Sequence, residues 1–143
     1  MANKIIIVIV VVLIIALVLS LTAKDEGYYA DNITLSSDVN GGKMTQPLVS
    51  GAFTFALENN KLVLYDYSVA LWSSRDSGPG SYLVMQSDGN LVLYDSSNKA
   101  FWNTKSNGRG VGPFTLKLTP DGTLQIIDKN KIITFEHRFL RVV

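Results

Sequence analysis

Two patterns of hydrophobic and polar residues divide the chain. From Ile5 to Leu21 it reads IIIVIVVVLIIALVLSL, without a charge or a helix breaker. After residue 23, apolar residues come in short runs that alternate with polar ones, and Gly, Asn, Asp and Ser separate these runs. Alternation with a period of two is typical of strands that bury one face. The pattern therefore predicts an apolar segment followed by an all-β domain.

The apolar segment is close to the roughly 20 residues that a bilayer-spanning helix needs. A cleaved signal peptide is the alternative, but its apolar stretch is usually about 7 to 15 residues and ends at a small-residue site. The best such site here, Ala23, has the bulky Leu21 two positions before it. We predict an uncleaved transmembrane anchor at residues 1–23 and a juxtamembrane linker at 24–30. The protein is then single-pass, with its amino terminus cytoplasmic and its body across the membrane.

Three segments of the β region are related to one another. They read FTFALENNKLVLYDYSVALW (53–72), YLVMQSDGNLVLYDSSNKAFW (82–102) and FTLKLTPDGTLQIIDKNKIITF (114–135). Each has an apolar strand, a turn built on Asn-Asn or Asp-Gly, a second strand that ends at an Asp, a loop and an aromatic residue. Asn-Asn and Asp-Gly favour tight hairpin turns, in which the central residues have positive φ, so each repeat is predicted to form a hairpin plus a third strand. Since one hairpin cannot bury its apolar face alone, we expect the three to pack around a common axis.

The alternation also predicts which side chains face the core. They are Phe53, Phe55, Leu57, Leu83, Met85, Leu91, Leu93, Phe114, Leu116, Leu118, Leu124 and Ile126. The aromatic residues that close the repeats are expected to fill the axis, and they are Trp72, Trp102 and Phe135. The aspartates that end the second strands are expected to cap the following loops rather than bind a metal, and they are Asp66, Asp95 and Asp128.

The second repeat places four polar side chains and one valine two residues apart, so that all five emerge on one face of the sheet. They are Gln86, Asp88, Asn90, Val92 and Tyr94. With the threefold repeat and the segment DNITLSSDVNGG, this QxDxNxVxY pattern resembles the monocot mannose-binding lectins, also called bulb-type lectins, from about Asp31 to His137. The resemblance implies a β-prism II fold for residues 31–143. In that fold, three four-stranded antiparallel sheets surround a pseudo-threefold axis, with one sugar site on each.

The resemblance also implies a role for each motif residue. The amides of Gln86 and Asn90 and the carboxylate of Asp88 would bond O2 and O3 of mannose, the Tyr94 hydroxyl would bond O4, and Val92 would pack on the ring carbons. Strands hold such groups more rigidly than loops do. The predicted ligand is a mannose-type glycan, bound without a cofactor. Because the site is shallow, we expect a dissociation constant on the order of millimolar.

The other two repeats depart from the motif. A gapless alignment of the first repeat places these residues at the five positions: Leu57, Asn59, Lys61, Val63 and Tyr65. A turn one residue shorter instead puts Glu58 where the Gln belongs. In both alignments Lys61 replaces the Asn, so we do not expect mannose to bind there. The third repeat keeps only the Asp, and its residues are Thr119, Asp121, Thr123, Gln125 and Ile127.

The amino-acid composition argues against several classes of function. The 13 Lys and Arg residues nearly balance the 12 Asp and Glu residues, which argues against a nucleic-acid partner. There is no cysteine for disulfides or thiolate metal sites. The single histidine, His137, lies in the tail and supports no catalytic triad. We therefore predict a protein that is not an enzyme.

Two features concern assembly and processing. The tail EHRFLRVV could exchange with a second copy and so form a homo-oligomer, or it could form a local edge strand. The tripeptide Asn32-Ile33-Thr34 is a glycosylation sequon.

Two functional hypotheses follow. The first is a membrane-anchored lectin with one intact site of three, which gains strength from many copies on one membrane. The alternative is a structural docking protein, for example a membrane-associated minor component of a virion capsid, with the domain making protein contacts.

Overall fold

The computed structural model describes residues 35–37, 42–79 and 81–139. The predicted anchor, the linker and the sequon lie outside these residues. In them the chain forms antiparallel sheets from these strands: β1 (Leu35–Ser36), β2 (Leu48–Ser50), β3 (Phe53–Glu58), β4 (Lys61–Asp66), β5 (Val69–Ser73), β6 (Tyr82–Met85), β7 (Leu91–Tyr94), β8 (Ala100–Asn103), β9 (Thr115–Leu118), β10 (Thr123–Ile127) and β11 (Ile133–Arg138).

Each sequence repeat forms a sheet of its own. The first sheet has the order β2-β3-β4-β5, the second β6-β7-β8, and the third β1-β9-β10-β11. The prediction of three hairpins, each followed by a third strand, is confirmed. The expectation of four strands holds for the first and third sheets only. Within the described residues the second sheet has three, and a single bridge from Lys43 to Val84 lies beside its edge strand β6.

The inward side chains of the three sheets share one hydrophobic core. Ten of the twelve residues predicted to face it are buried there, and Phe53 and Leu57 are partly buried against it. Burying a Leu or Phe side chain fully contributes about 1.5–3 kcal/mol relative to leaving it exposed. The core thus joins three hairpins, each of which would be at best marginally stable alone in water.

The aromatic residues predicted to fill the axis do converge. The ring centroids of Trp72 and Trp102 are 5.8 Å apart, and those of Trp72 and Phe139 are 5.3 Å apart. Trp72, Trp102 and Phe135 line a cavity of about 250 Å³, together with Phe139 and core residues. These three aromatic side chains therefore lie around one cavity in the described part of the chain.

The hairpin turns decide between the two alignments of the first repeat. Leu57 pairs with Leu62 there, and Met85 pairs with Leu91 in the second repeat. Four residues lie between the first pair and five between the second. The first turn is thus one residue shorter, with Asn59 and Asn60 at φ 45° and 62°. Glu58 therefore corresponds to Gln86, and the gapless alignment is wrong.

Two of the three recurring aspartates are confirmed as loop caps. The Asp95 carboxylate accepts hydrogen bonds from Ser97 and from the backbone N–H of Lys99. The Asp128 carboxylate accepts from the N–H groups of Asn130 and Ile132. Asp66 is buried at the corresponding position. These bonds stabilise the loops that follow the second strands.

The described part of the carboxy-terminal tail forms a local edge strand, which was the alternative to strand exchange with a second copy. Glu136 to Arg138 belong to β11 and pair with β10 of the same chain. Strand exchange by residues 140–143 lies outside the described residues. In the part of the chain that the structure covers, no helix has the length and apolar character needed to cross a membrane.

Candidate functional site

The motif of the second repeat lies on the outer face of its sheet. Gln86 follows β6, Asp88 lies in the turn, and Asn90 precedes β7. Leu91 and Leu93 are in the core. Because neighbouring side chains on a strand point to opposite faces, Val92 and Tyr94 are directed away from that core.

Gln86 and Tyr94 form the first polar contact of this face. The amide Nε2 of Gln86 donates to the Tyr94 hydroxyl oxygen at 2.6 Å. Tyr94 is the acceptor in this bond, so its own proton stays available to donate. Within the described part of the chain, that hydroxyl donates to no other residue. Tyr94 can therefore present a donor to a ligand.

Asp88 and Asn90 form the second contact. Oδ1 of Asp88 accepts from the backbone N–H of Asn90 at 2.9 Å, which holds the exposed carboxylate beside the Asn90 side chain. Oδ1 of Asn90 accepts from Oγ1 of Thr104 at 3.1 Å and from the backbone N–H of Ser106 at 3.3 Å. An N–H group can only donate, which assigns this amide oxygen and leaves Nδ2 with two hydrogens for a ligand.

Two hydroxyl-bearing residues that follow β8, Thr104 and Ser106, hold the turn between β6 and β7 in place. Oγ1 of Thr104 accepts from the backbone N–H of Leu91 at 3.0 Å and contacts Oγ of Ser106 at 2.7 Å. Oγ of Ser106 donates to the carbonyl oxygen of Gly89 at 2.7 Å, and the residue is 0% exposed. This Thr104–Ser106 pair links the turn to β8 and orients Asn90.

The Thr104–Ser106 pair was not predicted from the sequence, although the repeats carry a signal for it. A hydroxyl residue follows the tryptophan by two positions in the first two repeats, as Ser74 after Trp72 and Thr104 after Trp102. Oγ of Ser74 accepts from the backbone N–H of Leu62, just as Thr104 bonds Leu91. The shared hydroxyl therefore holds the hairpin in both repeats, and its bond to Asn90 is an addition in the second.

Val92 differs from the role that the resemblance implies. It is 2% exposed, although it lies outside the shared core cluster. Its cross-strand neighbours are Val84 and Asn103. Val92 thus forms the floor beneath the polar groups and offers little surface to a sugar ring. The corresponding Val63 of the first sheet is also buried.

The first sheet also carries a tyrosine on its outer face, but the direction of the tyrosine hydrogen bond is reversed. Tyr65 donates its hydroxyl proton to the carboxylate of Glu58. That hydrogen bond, with burial and the charge of Glu58, raises the pKa of Tyr65 above its usual value. Lys61 is paired with Glu58 across the turn and stands where Asn90 stands in the second sheet. Tyr65 is therefore not a donor for a ligand.

The polar groups of the third sheet bond to one another. Oγ1 of Thr119 donates to Asp121, and Asp121 lies 3.7 Å from Arg138. The hydroxyl of Thr119, together with that of Thr123 and the charge of Arg138, lowers the pKa of Asp121. Gln125 donates to Glu136 at 3.0 Å. In the described residues no group of three or more His, Asp or Glu side chains could hold a metal ion.

The chain is similar in sequence to several plant proteins, although no family model matches it. It is 30% identical over 100 residues to the mannose-specific lectin of Aloe arborescens, which covers 68% of this chain and 90% of that protein. It is 37% identical over 73 residues to the mannose-specific lectin of Galanthus nivalis, covering 48% and 45%. It is 43% identical over 54 residues to curculin-2 of Molineria latifolia, and this match spans only 34% of that protein.

Solved structures share the three-sheet arrangement. A monomeric monocot mannose-binding lectin from Gastrodia elata matches with a TM-score of 0.58 and 30% identity, over 74% of this chain and 91% of that chain. A lectin from Marasmius oreades matches with a TM-score of 0.62 and 27% identity, over 74% and 90%. A lectin from Allium sativum matches with a TM-score of 0.52 and 35% identity, over 67% and 88%.

Proposed function

The chain belongs to the bulb-type lectin family, and from this we propose that it binds mannose-type glycans on the outer face of its second sheet. The polar residues that would carry this binding are Gln86, Asp88, Asn90 and Tyr94, and Val92 forms the floor beneath them. Members of this family are lectins and not enzymes, and the proposed activity is recognition without chemistry. Neither a metal nor another cofactor has a part in it.

One observation carries the proposal: the polar groups of this face are already oriented before a ligand arrives. Gln86 fixes the Tyr94 hydroxyl, and the Thr104–Ser106 pair fixes the Asn90 amide. Groups held in this way lose little conformational freedom when a sugar binds, which removes part of the cost of association. The matching groups of the other two sheets bond to each other or reverse their polarity.

The hydrogen-bond donors and acceptors on this face of the second sheet match the hydroxyl groups of a sugar. Asn90 offers amide N–H groups, Tyr94 offers an O–H group, and Asp88 offers carboxylate oxygen atoms. A sugar hydroxyl can donate to Asp88 while it accepts from Asn90, so neighbouring hydroxyls on one pyranose edge can satisfy these groups together. An open site of this size gives a dissociation constant on the order of millimolar, or about 4 kcal/mol. Display of many copies on one surface would raise the overall strength by orders of magnitude.

The test is a titration of the full chain with methyl α-mannoside, in a detergent without a sugar headgroup. Methyl α-glucoside, which differs only at C2, measures specificity. Asn90→Asp and Tyr94→Phe should weaken mannose binding. Tyr65→Phe, the matched change on the first sheet, should leave it unaltered. If the unmodified chain gives no mannose-dependent signal even when it is clustered on a surface, the proposal is wrong.

We also propose that the apolar segment from Ile5 to Leu21 anchors the protein as a single-pass membrane protein with a cytoplasmic amino terminus. The support is its length and its lack of charge. Resistance of the membrane-bound chain to alkaline carbonate extraction, with protease digestion from one side only, tests this topology. Release of the intact chain by carbonate would contradict it.

A second candidate function is protein docking, as in a membrane-associated component of a virion capsid. The observation that favours it is the loss of the sugar motif from the first and third sheets while the fold is kept. Their outer faces carry charged side chains such as Lys61 and Glu136. Purification of the full chain from its native membrane tests this function. A chain recovered alone, outside any assembly, would count heavily against it.

A further inference from the structure

A second tyrosine, Tyr82, lies directly beside Tyr94 on the outer face of the second sheet. The two residues pair across β6 and β7, and their rings stack with centroids 5.4 Å apart and an interplanar angle of 21°. The Tyr82 hydroxyl donates to Oδ1 of Asn98 at 2.6 Å. The ammonium of Lys43 lies 4.4 Å from the centroid of the Tyr82 ring. Tyr82 is thus held at its ring and at its hydroxyl.

The other two sheets show that the fold does not need an aromatic residue at this position. Thr54 pairs with Tyr65 in the first sheet, and Thr115 pairs with Ile127 in the third. Tyr65 and Ile127 occupy the place of Tyr94, so Thr54 and Thr115 occupy the place of Tyr82. The aromatic partner therefore accompanies the complete motif and is replaced by threonine where the motif is lost.

We propose that Tyr82 is a positioning residue of the sugar site, which sets affinity by holding the Tyr94 ring in the orientation that keeps its hydroxyl on Gln86. This inference rests on the proposed mannose-binding function. Tyr82 does not need to touch the sugar. Its ring restricts rotation of Tyr94, and Asn98 and Lys43 restrict Tyr82 in turn. Without this support Tyr94 would have to be ordered when the sugar binds, which costs affinity.

The sheets themselves supply the test variant, Tyr82→Thr, which places the residue of the two sister strands at the same register. We expect it to weaken binding of methyl α-mannoside about three- to tenfold, the range for loss of a stacked aromatic pair. Tyr82→Phe keeps the ring and should stay within about twofold of the unmodified protein. Thr115→Ala, at the matching position of the third sheet, is the control. All are measured on the full chain by titration followed by NMR.

A double-mutant cycle separates positioning from a general effect on folding. If Tyr82 acts through Tyr94, then adding Tyr82→Thr to Tyr94→Phe should cost less than about twofold further, because the hydroxyl to be positioned is already gone. Full additivity of the two changes would overturn the proposal. An affinity of Tyr82→Thr equal to that of the unmodified chain would overturn it as well.

An NMR measurement on the free protein tests the positioning role of Tyr82 independently of mannose binding. In the free protein the Gln86 side-chain amide protons report its bond to Tyr94. Tyr82→Thr should shift these resonances and speed their exchange with water, and Thr115→Ala should not. Unchanged Gln86 resonances would overturn the positioning role even if mannose binds. If mannose does not bind the unmodified chain but Gln86 responds, the sugar function is wrong and the positioning of Tyr94 stands.

Discussion

The side-chain amide of Gln86 donates a hydrogen bond to the hydroxyl oxygen of Tyr94 at 2.6 Å. The corresponding pair in the first sheet runs in the opposite direction, because Tyr65 donates its proton to Glu58. One atom of difference between an amide and a carboxylate therefore decides whether the tyrosine proton is left for a ligand. The two faces both carry a tyrosine at this position, but only on the second sheet is its proton available to a ligand.

Gln86→Glu should convert the second face to the polarity of the first without changing its size. Tyr94 would then donate to residue 86 and would no longer donate to a sugar. We expect mannose affinity to fall about tenfold, or ~1.4 kcal/mol, the typical loss for one polar contact. A titration with methyl α-mannoside at neutral pH measures this. Glu58→Gln is the control and should create no binding, since Lys61 remains. Unchanged affinity of Gln86→Glu would contradict the argument from polarity.

Glu58→Gln should also lower the pKa of Tyr65 towards its usual range. The hydrogen bond to Glu58 is the main cause of the raised pKa, followed by burial and the charge of Glu58. Because the folded-state pKa lies above the unfolded value of about 10, this bond stabilises the protein below that pH and is lost as pH rises through the folded pKa. An alkaline absorbance titration follows the tyrosines, and Tyr65→Phe identifies the relevant step. A step that stays in place in Glu58→Gln would show that Glu58 is not the cause.

Thr104→Val should weaken both the hairpin and the sugar site, because its hydroxyl bonds Leu91 and Asn90. Leaving the backbone N–H of Leu91 without its acceptor costs about 1–3 kcal/mol of unfolding free energy. Ser74→Ala removes the equivalent hydroxyl from the first sheet and should lower stability without altering mannose affinity. Thermal unfolding and sugar titration of both variants measure the two effects. If Ser74→Ala weakened mannose binding as much as Thr104→Val, the loss would reflect general destabilisation.

The sequence predicted the repeats, the hairpins and most core residues because alternation along a strand determines which face is buried. The prediction was right for Leu83, Met85, Leu91 and Leu93, which all lie in the regularly paired strands β6 and β7. It left the first turn ambiguous, since Asn59 and Asn60 suit either alignment and only the pairing of Leu57 with Leu62 decides between them.

The site was predicted in part. Periodicity placed the motif on one face but gave no information on burial by neighbouring strands, so the covering of Val92 was not anticipated. Bonds such as the one from Thr104 to Asn90 join residues 14 apart through strand pairing, and Tyr82 meets Tyr94 in the same way. Such cross-strand contacts depend on register, which local patterns do not specify.

Asp128→Asn should destabilise the protein at neutral pH more than Asp95→Asn, although both aspartates cap equivalent loops. Asp95 accepts all of its hydrogen bonds at Oδ1, so an asparagine can keep them. Asp128 uses Oδ1 for Asn130 and Ile132 and Oδ2 for the N–H of Val111. Asparagine would present an NH₂ group to that N–H, and two donors would face each other.

The carboxylates of Asp95 and Asp128 should also make the folding stability depend on pH in the acid range. Backbone hydrogen bonds, chiefly from Ile132, lower the pKa of Asp128, and bonds from Ser97 and Lys99 lower that of Asp95. A lowered folded-state pKa gives stabilisation that is present above the unfolded value of about 3.9 and is lost as pH falls through the folded pKa. Melting temperatures measured from neutral pH down to about pH 3 should therefore show the gap between the unmodified chain and Asp128→Asn narrowing only at the acid end. A gap that stays constant with pH would mean that the Asp128 charge is not what holds the loop.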